Sequence, residues 1–103
     1  MERIAFVMKV KPGYEEEYMR RHTQVSPALL ELFKTVGICH YSIFMDGNQL
    51  FACLESEDYQ AARERMKKEP AYNEWQEFMK PLMLEVGENH STSKFIKEVF
   101  YFE

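Results

Sequence analysis

Three segments of the chain alternate between hydrophobic and polar residues, which is the pattern of half-buried β-strands. They are residues 3–10, 38–45 and 49–55. The predicted inward side chains are Ile4, Phe6, Met8 and Val10, then Cys39, Tyr41, Ile43 and Met45, then Leu50, Ala52 and Leu54. Asp46-Gly47-Asn48 separates the second and third segments and predicts a tight hairpin. A last segment, residues 95–102, becomes hydrophobic on both faces and predicts a strand covered on both sides, with another subunit as one source of that cover.

Hydrophobic residues at helical spacing occupy the stretches between these strands. They predict four helical pieces, at about residues 14–24, 27–35, 56–68 and 70–79. Ser26 is a good N-cap because Pro27 follows it in the first helical position, and Gly37 is a natural stop after the second helix. Residues 84–93 read as a polar connection to the last strand.

The predicted order of elements is strand, helix, strand, strand, helix, strand, with each helical stretch in two pieces. This order is that of a ferredoxin-like split βαβ fold in the α+β class, and 103 residues suffice for one such domain, residues 1–103. A sheet covered by helices on one face leaves its other face in need of cover. A homodimer in which two sheets face each other as an α+β barrel is a common solution, and we expect it here.

The composition favours a folded domain with aromatic side chains to spare. The chain is 46% hydrophobic and contains eight Phe, six Tyr and seven Met, so some of these should line a pocket or a subunit interface. The net charge of −4 is mixed along the chain without a basic patch, and nucleic acid is therefore not an expected partner. No apolar run approaches the roughly 20 residues of a membrane helix. With no signal peptide at its start, the chain is expected to be cytoplasmic.

The two cysteines fall on the two strands of the predicted hairpin. Cys39 and Cys53 are not directly opposite in a hairpin with a two-residue turn, which disfavours a disulfide. Their spacing does not match a zinc site either. The sequence therefore predicts two buried packing cysteines and no metal site.

The first helix carries the strongest candidate chemistry. Tyr14, Tyr18 and His22 are spaced four residues apart, so they form a stripe along one helical face. Such a stripe is suited to the wall of a pocket, because it offers two hydroxyls and one imidazole. It is equally typical of ordinary amphipathic packing.

In the order and spacing of several short motifs, the whole chain resembles the L-rhamnose mutarotases. The motifs are Ile4-Ala5-Phe6-Val7-Met8, Tyr18-Met19-Arg20-Arg21-His22, His40-Tyr41-Ser42-Ile43-Phe44, Trp75-Gln76-Glu77-Phe78-Met79 and Glu98-Val99-Phe100-Tyr101.

The resemblance implies a cofactor-free, ferredoxin-like dimer that interconverts the α and β anomers of L-rhamnose or a related deoxy sugar. It implies that His22 is the catalytic proton donor and that Tyr18, Tyr41, Trp75 and Gln76 contact the sugar. The family usually has tryptophan, glutamate and tryptophan at the positions of Ser26, Ala28 and Gln76, a difference that bears on which sugar fits.

The chemistry of mutarotation suits these residue types. Ring opening requires the ring oxygen to gain a proton while the anomeric hydroxyl loses one, and histidine exchanges protons near neutral pH. Tyrosine hydroxyls and an indole wall bind a neutral sugar without a metal. Tyr41 and Trp75 are also ordinary core residues.

Two other functions share the same element order. One is a small dimeric α+β-barrel monooxygenase-like enzyme, and the other is a non-catalytic metabolite-binding module. A haem or flavin absorbance would indicate the first, and an absence of anomer exchange the second.

Overall fold

An antiparallel sheet forms the framework of the computed structural model, which describes residues 1–103. Its strands are β1 (Glu2–Val10), β2 (Ile38–Asp46), β3 (Gln49–Ser56), β4 (Met83–Leu84) and β5 (Lys94–Ile96). The strand order is β2-β3-β1-β4, and β5 pairs with the part of β1 that β4 leaves open. Together β4 and β5 occupy the place of one fourth strand. The predicted ferredoxin-like α+β fold is confirmed.

Four helices accompany the sheet, and their ends follow from local sequence. They are α1 (Glu15–Arg21), continued by a 3-10 turn (His22–Gln24), α2 (Pro27–Thr35), α3 (Tyr59–Met66) and α4 (Pro70–Met79). The Ser26 hydroxyl accepts a hydrogen bond from the Leu29 N–H at 3.1 Å, and the Asp58 carboxylate accepts one from the Ala61 N–H at 3.1 Å. None of these helices combines the length and the apolar character needed to cross a membrane.

The interior between helices and sheet consists of two hydrophobic clusters. The larger one joins β1, β2 and β3 to α2 and α3, and includes Phe6 and Leu29. The smaller one joins the far ends of β1 and β3 to α1 and α4, and includes Tyr18 and Met79. Trp75 of α4 packs against both clusters. The boundary between the clusters is where a cavity remains.

A β-bulge in β2 corrects one predicted face. Cys39 lies opposite Glu55, but Ser42 lies opposite Cys53, so β2 contains one residue more than β3 over this stretch. His40, with a backbone φ of +51°, is the extra residue. Directly opposed residues share a face of the sheet, so Cys39 lies with Glu55 on the outer face, which points away from the helices. The strict alternation had predicted that Cys39 shares the inner face with Tyr41, and this prediction is wrong.

The cysteines are unpaired, as predicted, but their predicted burial is wrong. Cys39 and Cys53 are both free thiols and are not opposite one another in the hairpin. Cys53 is exposed on the outer face of the sheet, and Cys39 is half-buried. Two facts set this arrangement: the odd positions of β3 point away from the helices, and the bulge places Cys39 on that same side.

The last predicted strand is the largest difference from expectation. Only residues 94–96 pair with β1, while residues 97–103 have no regular structure in the single chain. The prediction of a strand over 95–102 rested on hydrophobic content, and a hydrophobic segment needs a pairing partner to become a strand. The short strand β4, which begins one residue before the predicted connection, was missed because two residues carry no periodicity.

Candidate functional site

A cavity of about 150 Å³ lies between the sheet and the helices, and sixteen of its 21 lining residues are hydrophobic. The structure brings all five residues singled out in the sequence to this cavity. They are Tyr18, His22, Tyr41, Trp75 and Gln76. Tyr14, the first residue of the predicted stripe, is 47% exposed and does not line it. The stripe thus contributes two of its three residues to the site.

The end of helix α1 fixes the orientation of His22. Regular helix ends at Arg21, and the chain tightens into the 3-10 turn that His22 begins. The Nδ1 atom of His22 lies 2.9 Å from the backbone carbonyl oxygen of Tyr18. A carbonyl oxygen only accepts hydrogen bonds, so Nδ1 carries the proton that is donated to it. In the neutral imidazole, Nε2 is therefore the nitrogen that is free to accept a proton.

Aromatic contacts hold the imidazole ring on two sides. The rings of Tyr18 and His22 have centroids 4.3 Å apart and are inclined by 32°. The indole of Trp75 meets the imidazole edge to face, with ring centroids 5.1 Å apart and an angle of 88° between the ring planes. Trp75 in turn packs on Phe78 at 5.8 Å. The imidazole consequently has one hydrogen bond and two ring contacts that restrict its rotation.

Burial raises the pKa of tyrosine hydroxyls in the cavity above the ordinary value of 10, at which a phenol is already protonated at neutral pH. It raises the pKa of Tyr18, which is 6% exposed, to about 12. The pKa of Tyr41 is also raised, first by burial and then by the neighbouring hydroxyls of Tyr59, Tyr18 and Tyr72. At neutral pH these phenols therefore donate and accept hydrogen bonds as neutral groups.

Tyr41 reaches the cavity from the bulge in β2. His40 and Tyr41 together lie opposite the single residue Leu54, an inward position of β3, and Tyr41 is the member of the pair that lines the cavity. The ring of Tyr41 packs against Phe33 and Phe6, with centroid distances of 5.5 Å and 6.4 Å. His40 is exposed and contacts Glu55 instead.

Sequence reasoning missed several other cavity residues. Tyr59, Arg63 and Tyr72 line the wall formed by α3 and α4, and Thr92 and Ser93 come from the connection before β5. Helical periodicity predicts that Tyr59 and Tyr72 point inward, but it does not distinguish a core position from a pocket position. The two connection residues carried no sequence signal, because the pairing of β5 with β1 sets their place.

Two surface depressions share lining residues with the cavity. A groove of about 870 Å³ between α1, α2 and β2 shares Tyr18, His22, Tyr41 and Trp75 with it. A shallower depression of about 560 Å³, near α3 and β5, shares Tyr59, Arg63 and Phe95 with it. The cavity thus has one end beside His22 and a second end beside Arg63.

The family described as L-rhamnose mutarotase matches residues 3–102. The L-rhamnose mutarotase of Listeria monocytogenes serovar 1/2a is 37% identical over 98% of each chain. The crystal structure of the L-rhamnose mutarotase of Formosa agariphila covers 100% of both chains with 35% identity and a TM-score of 0.83. Tetracenomycin F2 cyclase of Streptomyces glaucescens, at 16% identity and a TM-score of 0.61, is similar in fold alone.

Proposed function

The chain belongs to the L-rhamnose mutarotase family, and we propose that His22 is the residue through which it moves a proton to and from the ring oxygen of the sugar. The protein is an isomerase that interconverts the α and β anomers of its sugar. These comparisons do not favour a monooxygenase-like enzyme or a passive binding module. The observation that carries the proposal for His22 is its hydrogen bond to the Tyr18 carbonyl oxygen, which leaves only Nε2 for proton exchange.

The proton transfers follow from that arrangement. In the protonated imidazole, the Nε2–H donates to the ring oxygen as the bond from that oxygen to the anomeric carbon breaks. The anomeric hydroxyl loses its proton at the same stage, which leaves an open-chain aldehyde. After rotation about the C1–C2 bond, the ring oxygen attacks the other face of the aldehyde and returns its proton to Nε2, while the group that accepted the anomeric proton gives it back to the aldehyde oxygen. No net charge or atom is gained over the cycle.

A water molecule is the acceptor that we propose for the anomeric proton. The raised pKa of Tyr18 and of Tyr41 disfavours a standing phenolate at neutral pH, so neither tyrosine is suited to be the base itself. Their neutral hydroxyls are suited to hold a water molecule and the sugar by hydrogen bonds. Trp75 offers an apolar surface to the C–H face of the sugar, and Gln76 offers an amide at the cavity rim.

We also propose that the protein is a homodimer joined through the outer face of the sheet. Val7 lies opposite Phe51, and Phe51 lies opposite Phe44, so three apolar residues form a row across three strands. Phe44 is 64% exposed and Phe51 is 42% exposed. A sheet face with such a row is stabilised when the same face of a second copy packs against it.

The carboxyl-terminal segment, residues 97–103, adds to this surface. The Arg3 guanidinium donates a 2.7 Å hydrogen bond to the Glu98 carboxylate and lies over the Tyr101 ring at 3.4 Å. These contacts hold the segment to the start of β1 while Val99, Phe100 and Phe102 remain 78–91% exposed. Pairing with a second copy would give this segment the partner that it lacks in the single chain. We further propose a cytoplasmic location, which suits two unpaired thiols.

The direct test is anomer-exchange NMR on the purified protein with a panel of deoxy and ordinary aldoses. We expect saturation transfer between the α and β signals of L-rhamnose to show faster anomer exchange with the protein than in buffer alone. Exchange no faster than in buffer for every sugar would contradict the proposed function. Exchange that is faster for another aldose than for L-rhamnose would reassign the substrate, since Gln76 differs from the residue usual at this position.

A further inference from the structure

Arg63 is a cation on the cavity wall without a counter-ion. It is half-buried on α3, forms no ion pair and makes no side-chain hydrogen bond within the chain. None of the residues that line the cavity is an aspartate or a glutamate. Partly buried cations in proteins are usually paired with an anion or with hydrogen-bond acceptors. Three carboxylates, of Glu2, Asp58 and Glu64, line the adjoining surface depression, but none of them forms an ion pair with this guanidinium.

Two aromatic rings hold the guanidinium in place. Its central carbon lies 5.0 Å from the ring centroid of Phe95 and 5.8 Å from that of Tyr59. The centroids of these two rings are 6.0 Å apart, and the ring centroids of Phe95 and Phe6 are 5.8 Å apart. Contacts of this kind hold a cation without using any N–H group. The five N–H donors of Arg63 thus remain available to a ligand.

Two further hydroxyls lie near this charge. Burial raises the pKa of Tyr59 and of Tyr72, and the positive charge of Arg63 offsets part of that rise in both. Neither phenol makes a hydrogen bond within the chain, as is true of Arg63. The second end of the cavity therefore combines a guanidinium with two neutral hydroxyls, all without partners. Such a group offers both donors and acceptors, which is what a run of sugar hydroxyls requires.

We propose that Arg63 is a substrate-contacting residue, whose guanidinium donates hydrogen bonds to neighbouring hydroxyl oxygens of the sugar at the end of the cavity remote from His22. Tyr59 and Tyr72 flank the same hydroxyls. The inference rests on the proposed function in one respect, namely that the sugar occupies this cavity. It adds that the anomeric centre faces His22 while the remaining hydroxyls face α3. Arg63 thereby selects which hydroxyl pattern binds.

The test uses equilibrium binding, so that it does not depend on turnover. L-Rhamnose and its 2-, 3- and 4-deoxy analogues are titrated by ligand-observed NMR into the wild-type protein and into Arg63→Met and Arg63→Lys. Arg65→Met is the matched control, because Arg65 lies on the same helix, is exposed and does not line the cavity. Circular dichroism establishes that each variant is folded.

Arg63→Met is expected to weaken L-rhamnose binding by about 10- to 100-fold, since it removes hydrogen bonds from a charged donor. Arg63→Lys should lie between Arg63→Met and the wild type, because it keeps the charge but not the fork of donors. Arg65→Met should bind as the wild type does. At least one deoxy analogue should bind the wild type and Arg63→Met with nearly equal affinity, because the hydroxyl that Arg63 contacts is absent from it.

Wild-type affinity for L-rhamnose in folded Arg63→Met would overturn the proposal. An equal loss for L-rhamnose and for all three analogues would also overturn it, because Arg63 would then act through the shape of the site and not through a hydroxyl. A wild-type protein that binds L-rhamnose without exchanging its anomers would contradict the role of His22 and leave this comparison intact.

Discussion

The imidazole of His22 donates a hydrogen bond from Nδ1 to the backbone oxygen of Tyr18, one helical turn earlier, while the two side-chain rings stack 4.3 Å apart. One residue thus orients the histidine with its backbone and packs against it with its side chain. Because the helix end sets both contacts, the free nitrogen of the imidazole has a fixed position before any sugar binds.

Replacing His22 with asparagine should remove proton exchange and keep much of the shape. We expect the anomer-exchange rate to fall by about 10²–10⁴-fold, the usual contribution of a positioned acid–base group. Binding of the sugar should weaken far less, since Tyr18, Tyr41 and Trp75 remain. His90→Asn, in an exposed side chain of the connection before β5, is the control and should exchange at the wild-type rate. Wild-type exchange in a folded His22→Asn protein would make His22 a structural residue.

The buried phenol of Tyr18 should make stability sensitive to alkaline pH. Its pKa of about 12 in the folded chain exceeds the ordinary value of 10, so the folded state holds this proton more tightly than the unfolded state. The stabilisation is complete below about pH 10 and is lost as the pH rises toward 12. Two pKa units correspond to a decrease of up to about 2–3 kcal/mol in the free energy of unfolding.

Chemical denaturation between pH 8 and pH 12 measures this loss. Tyr18→Phe should lack the share of the alkaline loss that belongs to Tyr18, whereas Tyr14→Phe, at an exposed position, should follow the wild type. Identical alkaline losses in the wild type and Tyr18→Phe would show that ionisation of this phenol does not limit stability.

The proposed dimer should depend on the row of apolar residues on the outer sheet face. Phe44→Glu places a charge at its most exposed residue, so burial of this face against a second copy becomes unfavourable. Light scattering at micromolar concentration should give a dimer for the wild type, which buries at least roughly 1,000 Å², and a monomer for Phe44→Glu. Leu30→Glu, on the exposed side of α2, should remain a dimer. A monomeric wild type would contradict the proposal.

Gln76 tests the choice of sugar. Gln76→Trp supplies the indole that the family usually carries at this position, so the contact with the apolar side of the sugar should improve. We expect exchange of L-rhamnose to gain about 3- to 10-fold relative to other aldoses. Glu77→Trp is the control, because Glu77 follows on the same helix but does not line the cavity. An unchanged preference in Gln76→Trp would place this residue outside the sugar contacts.

Local sequence signals predicted the fold where local physics determines it. The bounds of α2 and α4 were predicted correctly because each helix begins with proline at its first position, and a proline restricts the backbone before as well as within the helix. The inward set of β3 was also correct, since that strand alternates without interruption.

Features that depend on pairing between distant segments were not predictable in this way. The left-handed backbone of His40 results from the register of β2 against β3, and nothing in its own sequence requires it. Arg63 reads as a surface residue of a polar helix, and it becomes part of the site only because β5 brings Phe95 against it. The resemblance to the family identified only those cavity residues that match its motifs, and it identified none of the other cavity residues.

The bulge in β2 has a consequence for how this chain tolerates changes in length. Nine residues of β2 run beside eight of β3, and the extra residue is in the bulge. With that residue left out, inward and outward side chains would alternate along β2 without interruption. Loss of the single codon for His40 would therefore leave Ile38 and Tyr41 on their present face. It would also remove a strained residue. Outside the pair His40 and Tyr41, a deletion of one residue in β2 or β3 turns every following side chain to the opposite face. The strand that supplies Tyr41 can thus lose His40 without exchanging its inward and outward faces.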